Sequence, residues 1–211
     1  MLPVPIELPS QIPVMVLPNC NLLPHGLLPL YIFEPRYRQM LADALESNRM
    51  FAIGTVDPDG DLDPENPEVL PYSCAGMVRA CVGAEDGTSH LVLQGLQRIH
   101  FADWPETEKP YRVAEISPMP TSNENAAAST ALLAKALEAA RELIDSGQAA
   151  STPAALDEME SLDNPEQLAD LIAYHLIRDP MRRQRLLEIS DLGERLRFIL
   201  TELVNAGPNL P

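Results

Sequence analysis

Positive charge is scarce in this sequence. Its 211 residues include 15 lysines and arginines against 31 aspartates and glutamates, and the formal net charge is −16. Proteins that bind nucleic acids need clustered cations to displace the counterions of the phosphates, and a negative field of this size repels the nucleic-acid backbone. The one dense basic cluster is Arg182, Arg183 and Arg185. We expect this cluster to be a solvated helix face, so nucleic-acid binding is disfavoured.

Cysteine is also scarce. The three cysteines, Cys20, Cys74 and Cys81, form no C-x-x-C pair, and an odd number argues against a disulfide framework. We predict three small, buried, reduced thiols and therefore a cytoplasmic protein. A metal site built from His90, His100 and Cys81 is an open but less favoured alternative. No cofactor is expected.

Long apolar runs are missing. The sequence has no stretch of about 18 consecutive apolar residues, so no segment is predicted to span a membrane. Residues 1–9 contain three prolines and a glutamate but no basic residue, which argues against a signal peptide.

Motifs of common catalytic sites are missing too. Neither lysine, Lys109 or Lys135, follows a glycine-rich turn, so no phosphate-binding loop is predicted. The sequence contains no G-x-S-x-G nucleophile elbow. A dyad of Ser129 and Lys135 is disfavoured because Ser129 lies off the helical face of the lysine. We therefore predict a protein that is not an enzyme.

The first half of the chain has the pattern of a β-rich domain. Short apolar or β-branched runs that end at Gly, Pro or Asn predict strands. The predicted strands cover residues 12–17, 27–33, 50–56, 75–82, 90–95, 97–101 and 111–116. Pro29 cannot donate a backbone hydrogen bond, which confines residues 27–33 to a strand end, an edge or a bulge. Residues 57–71 carry four prolines and predict a loop.

One helix is inserted among these strands, from Pro35 to about Asn48, since proline is favoured in the first turn of a helix. A single apolar stripe at helical spacing comprises Tyr37, Met40, Leu41, Ala44 and Leu45. We expect Tyr37 to face the core. We also expect Glu34 to accept hydrogen bonds from the first helical amides, and Arg36 to pair with an acidic neighbour.

The second half of the chain is rich in alanine and leucine after the Pro-Met-Pro of residues 118–120. We predict a helical bundle of four helices here. The first helix has an apolar face and ends at Gly147; the face comprises Leu133, Ala136, Leu137, Ala140 and Ile144. Asn164-Pro165 and Asp179-Pro180 predict the starts of the second and third helices. Asp191 with Glu194 predicts the start of the fourth helix, which stops at Gly207-Pro208. The predicted fold class is α+β, with a β-rich domain over residues 1–118 and a helical domain over residues 119–211.

Apolar residues form the candidate binding site. Four leucines surround the turn at residues 24–26, and two methionines lie in or beside predicted strands. These residues are Leu22, Leu23, Leu27, Leu28, Met50 and Met77. Methionine suits adaptable binding surfaces because its thioether is soft and flexible. Two interpretations stay open: the six side chains line a peptide-binding surface, or they fill the β-core.

The most specific motif is LPLYIFEPRY at positions 28–37. It resembles the opening block of the N-terminal, substrate-binding domain of the Lon protease family. Shorter segments also resemble the family, in the same order: FAIGTV at 51–56, GMVR at 76–79, LVLQG at 91–95, YRVAEI at 111–116, LADL at 168–171 and RLLE at 185–188. The family shows a Phe-Pro-Gly turn where this chain has Leu23-Pro24-His25-Gly26, so statements about that loop do not transfer.

The resemblance implies a PUA-like pseudo-barrel followed by a helical bundle. In full-length Lon-type proteases this region helps to recognise unfolded or tagged substrates and contributes to hexamer assembly, and the ATPase and serine–lysine peptidase modules follow it. The sequence ends at Pro211, so we expect a stand-alone form without those modules. The expected function is a non-catalytic module that binds protein segments, such as an adaptor in protein quality control. The alternatives are an oligomerisation scaffold and, less favoured, an RNA-binding PUA-like module.

Overall fold

The computed structural model describes residues 7–61, 63, 66–148 and 151–206 and has the predicted mixed α+β composition. The chain forms two compact units. One consists of residues 1–22 and 27–119, and the other of residues 23–26 and 120–211. None of the helices in the described residues combines the length and apolar composition needed to cross a bilayer.

Six strands form the sheet of the first unit. They are β1 (Gln11–Leu17), β2 (Leu27–Ile32), β3 (Met50–Thr55), β4 (Tyr72–Gly83), β5 (Ser89–Asp103) and β6 (Arg112–Pro118). The order is β2-β5-β4-β3-β1-β6, and a further β5–β6 pairing closes five of the strands into a ring. All the predicted strand segments are confirmed, but residues 90–95 and 97–101 form one continuous strand. The break expected near Leu96 is a bulge, where the pairing with β4 shifts by one residue.

Closure of the ring depends on the length of β5. Its first half, residues 89–94, pairs with β2, and its second half, residues 99–103, pairs with β6. The ring encloses a buried apolar cluster: Ile12, Val14, Val16, Met50, Ala52, Ala75, Ile99, Phe101, Ala114 and Ile116. Strand β2 therefore lies outside the ring as an edge strand. The edge position accommodates Pro29, as predicted.

Helix α1 (Pro35–Glu46) packs its apolar stripe inward, which confirms the predicted helix and its buried face. The Tyr37 hydroxyl donates to the carbonyl of Val16 at 3.0 Å and accepts from its amide at 3.2 Å. The predicted cap by Glu34 is wrong, because its side chain makes no cap hydrogen bond. Its carboxylate is instead paired with Arg36 at 2.9 Å, so Arg36 has the acidic neighbour that was expected.

The second unit contains helices α2 (Ala126–Asp145), α3 (Pro153–Glu160), α4 (Pro165–Leu176), α5 (Pro180–Glu188) and α6 (Leu192–Ala206). The side chains of Asn164, Asp179 and Asp191 accept amide hydrogen bonds at the starts of α4, α5 and α6, as predicted. Helix α3 was not among the predicted helices, although Thr152 caps it in the same way. The predicted stop at Gly207-Pro208 lies outside the described residues.

A buried ion pair joins two of these helices. Arg195 of α6 and Asp170 of α4 are both fully buried, with 3.5 Å between Nη1 and Oδ1. Arg195 also donates through Nη2 to the Thr121 hydroxyl at 3.0 Å. Gly147 lies two residues after the end of α2, and its positive φ of 70° is the left-handed conformation expected just beyond a helix C-terminus.

An exposed apolar sheet face as candidate binding site

Two rows of residues cross strands β2, β5 and β4 on the same side of the sheet. The rows are Tyr31–His90–Val82 and Pro29–Val92–Ala80. Side chains of residues two apart in a strand project from the same face, so the two rows lie side by side. Together they line a depression of about 410 Å³.

The side chains of this face are unusually exposed for apolar residues. Tyr31 is 49% exposed, Phe33 57% and Val82 70%. The Tyr31 ring stacks on His90 with centroids 4.7 Å apart and on Phe33 at 5.7 Å. We define the outer face as Leu27, Pro29, Tyr31, Phe33, Val82, His90 and Val92. Stacked rings are held in place by their neighbours, so the face presents a preformed aromatic surface.

The opposite side of the same strands is apolar as well. Val78 of β4 and Leu91 and Leu93 of β5 are buried. An antiparallel sheet with one face in the core normally places polar residues on the other face. Contiguous exposed apolar residues mark interaction sites in soluble proteins. The outer face therefore has the chemical character of a surface that contacts another molecule.

Three of the six residues of the predicted binding surface are buried. Leu22 is 2% exposed, Leu23 1% and Met50 4%. The core-filling interpretation fits Leu22 and Met50, which belong to the unit that contains the sheet, whereas Leu23 belongs to the second unit. Leu22 packs so closely over Gly76 that a Cβ added there would lie 2.7 Å from its Cδ2. Met50 belongs to the cluster inside the ring of strands. Because buried side chains cannot contact a partner, these three residues are not part of the candidate surface.

The other three residues divide between the two faces of the sheet. Leu27 is 47% exposed and belongs to the outer face. Met77 is half-buried and aligned with Leu27 through Gln94 of β5, and its sulfur accepts a hydrogen bond from Arg79 at 3.3 Å. Leu28 follows Leu27 in the strand and therefore points to the opposite side. Leu27 remains in the candidate surface, whereas Met77 packs against the apolar cluster inside the ring.

Sequence reasoning missed Tyr31, Phe33, Val82 and His90. A signal was present for two of them, because apolar residues occupy every position of residues 27–33 and leave no polar solvent face. Val82 and His90 lie in other strands, and only the cross-strand register brings them beside Tyr31.

The histidines and cysteines do not come together as a metal site in the described residues. His90 stacks on Tyr31, whereas His100 contacts Tyr72 at 5.1 Å between ring centroids. Ten residues of one strand separate the two histidines by about 33 Å. Among the described residues, no group of three or more His, Cys, Asp or Glu side chains is placed to hold a metal ion.

All three cysteines are free thiols, as predicted, but only Cys74 is buried. Cys20 and Cys81 are partly exposed, so the prediction of three buried thiols is wrong for them. Both lie near the edges of the first unit, Cys20 after the end of β1 and Cys81 close to the tip of the β4–β5 hairpin. Side chains at such positions are only partly covered by their neighbours.

The basic cluster of the second unit is engaged within that unit. Arg182 pairs with Glu202, and Arg185 pairs with Glu188 at 2.6 Å. Arg183 donates to the carbonyls of Ile177 at 2.6 Å and Tyr174 at 2.8 Å. A phosphate backbone would have to compete with these internal partners, which adds to the unfavourable net charge.

The chain shares its sequence pattern and its fold with one family of proteins. Residues 11–205 match the family model of the ATP-dependent protease La (LON) substrate-binding domain, and the chain belongs to this family. The resemblance drawn from the sequence is confirmed. Two solved structures share the fold. The N-terminal domain of a Mycobacterium avium complex Lon protease superposes with a TM-score of 0.73 at 18% identity, covering 92% of this chain and 98% of that one. The Lon N-terminal domain protein from Xanthomonas campestris gives 0.66 at 22% identity, covering 91% and 98%.

Full-length relatives are much longer than this chain. Lon protease 2 of Myxococcus xanthus is 30% identical over 203 residues, which cover 94% of this chain and 24% of the relative. Lon protease of Desulfovibrio desulfuricans is 24% identical over 197 residues, which cover 93% of this chain and 22% of the relative. The chain thus spans about a quarter of the length of these relatives, in the part that the family model describes as substrate-binding.

Proposed function

We propose that this chain is a non-catalytic module that binds exposed apolar segments of unfolded or tagged proteins on its outer face. The observation that carries the proposal is the row of Tyr31, His90 and Val82 on the solvent side of the sheet, in which exposed Tyr31 and Val82 flank the imidazole of His90. Membership of a substrate-binding family supports a role in binding polypeptide. The proposal includes no cofactor.

An extended polypeptide suits this face geometrically. Alternate side chains of a strand project on one side at intervals of about 7 Å, which is also the spacing between the rows of Tyr31 and Pro29. Such a segment contacts stacked rings and aliphatic groups without requiring a specific sequence. Strand β2 pairs with β5 on one side, and no strand of the described residues pairs with its other edge. A bound segment could add backbone hydrogen bonds there, interrupted at Pro29.

Charge sets a preference among such segments. The net charge of −16 repels acidic polypeptides and attracts segments in which apolar residues are flanked by lysine or arginine. We therefore expect tighter binding of basic apolar segments, and a decrease of that preference with added salt.

Three finer features belong to the same proposal. The closed ring of strands supports a PUA-like pseudo-barrel for the first unit. Free thiols fit a cytoplasmic protein, since cytoplasmic cysteines are kept reduced. A module that binds unfolded segments without catalysis fits an adaptor in protein quality control, which presents its cargo to another protein.

A direct test uses one polypeptide in two states. A small disulfide-bonded domain, reduced and blocked with iodoacetamide so that it stays unfolded, is labelled and titrated with this protein while fluorescence anisotropy is followed. We expect saturable binding with a Kd of about 10 to 100 μM and at least tenfold weaker binding of the disulfide-intact, folded form. Equal binding of the two forms, or no saturation, would contradict the proposal.

Self-association is the competing use of the same face. Two copies that cover their outer faces would form a dimer, as expected of an oligomerisation scaffold. Light scattering over a wide concentration range distinguishes the two. A monomer at all concentrations favours the binding module, and a dimer that Val82→Ser dissociates favours the scaffold.

A further inference from the structure

A second cavity of the first unit shares no residue with the outer face. It has a volume of about 340 Å³ and is lined by parts of β1, α1, β6 and the segment that precedes β6. Ligand pockets begin at about this size. Its walls include the only tryptophan of the chain, Trp104.

Arg112 is the central cation of this cavity. Its guanidinium carbon lies 3.8 Å from the centroid of the Trp104 ring, so the planar group is stacked on the indole. Nη1 donates to the carbonyl of Pro67 at 2.9 Å. No carboxylate of a described residue pairs with this guanidinium, and partial burial lowers the pKa of Arg112. A stacked guanidinium keeps its remaining N–H donors directed outward in the plane, where a carboxylate binds best.

Two further cations line the cavity. Arg36 and Lys109 have side chains that are 39% and 52% exposed and lie in the cavity wall, and each contacts one acidic partner outside that wall. Among the described residues of the wall, Glu106 is the acidic one against three cations. Because Arg36 and Lys109 are already paired with Glu34 and Asp43, Arg112 is the cation of the wall that has no carboxylate partner among the described residues.

We propose that this cavity binds a carboxylate attached to an apolar or aromatic group. The carboxylate pairs with Arg112, and the apolar part packs against Trp104. A neutral apolar ligand leaves Arg112 without an anion, and a small inorganic anion leaves the aromatic walls uncovered. The ligand chemistry has two sources, which the experiment separates: the free carboxyl terminus of a polypeptide, and a free organic acid.

Trp104 provides the signal for the test, because the fluorescence of the whole protein comes mainly from this one indole. The probes are N-acetylphenylalanine, its neutral carboxamide, and an acetylated tripeptide that ends in phenylalanine with a free carboxylate. The acids should change the fluorescence saturably, and the carboxamide should bind at least tenfold more weakly. If the tripeptide acid binds at least tenfold more tightly than N-acetylphenylalanine, the natural ligand is a polypeptide terminus. If the two acids bind with equal affinity, the natural ligand is a free organic acid.

Variants of two arginines show whether the fluorescence change reports binding in this cavity. Arg112→Gln should weaken binding of the acids at least tenfold, which corresponds to about 1.4 kcal/mol. Arg141→Gln, at an exposed arginine of the other unit, should leave the affinity unchanged. If Arg112→Gln does not fold, Arg36→Gln and Lys109→Gln replace it, with a severalfold loss expected from each. Equal binding of acid and carboxamide, equal affinities of the Arg112 and Arg141 variants, or no saturation up to about 10 mM would overturn the proposal.

Discussion

The ring of Tyr31 stacks on His90 with 4.7 Å between centroids, although the two residues belong to different strands. Their cross-strand alignment also includes Val82. The contact fixes the orientation of Tyr31 while leaving half of its surface exposed. A preformed apolar surface binds a flexible segment with less loss of conformational entropy than a surface that must first order itself.

Replacing Tyr37 tests whether helix α1 stabilises the ring of strands. Strand β1 pairs with β6 only as far as Val14. Beyond that point the Tyr37 hydroxyl forms hydrogen bonds with the amide and the carbonyl of Val16. Tyr37→Phe leaves a buried amide and carbonyl without this partner, so the free energy of unfolding should fall by about 1 to 3 kcal/mol. Urea denaturation measures it. Tyr31→Phe removes a hydroxyl from the exposed outer face and should change stability by less than about 0.5 kcal/mol.

Disrupting the buried ion pair of Arg195 and Asp170 should strongly lower the free energy of unfolding. Asp170→Ala removes the fully buried carboxylate that lies 3.5 Å from the Arg195 guanidinium, while the partly exposed Glu166 remains at 3.8 Å, and should destabilise the protein by about 3 kcal/mol. Arg141→Ala breaks the exposed pair with Glu160 and should cost less than about 1 kcal/mol. The double variant Asp170→Leu with Arg195→Met should recover most of the loss. Equal effects of Asp170→Ala and Arg141→Ala would refute the assigned role of burial.

Asp43 predicts a specific acid sensitivity. Hydrogen bonds from Lys109, and then from Tyr111 and Gln39, lower the pKa of Asp43 from 3.8 to about 2. A carboxyl whose pKa is lower in the folded protein stabilises the fold above its ordinary pKa of 3.8, and this contribution is lost as the pH falls toward 2. The stability difference between the wild type and Asp43→Asn should therefore be constant above about pH 5 and shrink below it. Lys109→Gln should reduce the same acid dependence, and an unchanged pH profile in both variants would contradict the assignment.

Much of the fold was predictable because its signals are local. Short apolar or β-branched runs predict the strands, and Asn164 and Asp179 followed by proline predict helix starts that the structure confirms. Thr152 followed by proline carries the same signal for α3, which was overlooked. Glu34 shows the limit of such reasoning, since its carboxylate is paired with Arg36 and does not cap the helix.

The candidate site was only partly predictable because it depends on register. An apolar residue beside a turn, such as Leu22, has the same local sequence character whether it is buried or exposed. Alternation within residues 27–33 separates Leu27 from Leu28 only once the inward face of the strand is known. Val82 and His90 reach Tyr31 through pairings between distant segments, and a bulge between Val78 and Ala80 sets which face Val82 occupies.

The most direct measurement compares two double variants in binding the unfolded polypeptide. Tyr31→Ser with Val82→Ser removes two exposed apolar side chains of the outer face, and Met181→Ser with Val204→Ser removes two of comparable exposure from the second unit. The first should weaken binding at least tenfold, or about 1.4 kcal/mol, while both variants keep wild-type melting behaviour. The second should bind like the wild type. Equal affinities of the two double variants would contradict the assignment of substrate binding to the outer face.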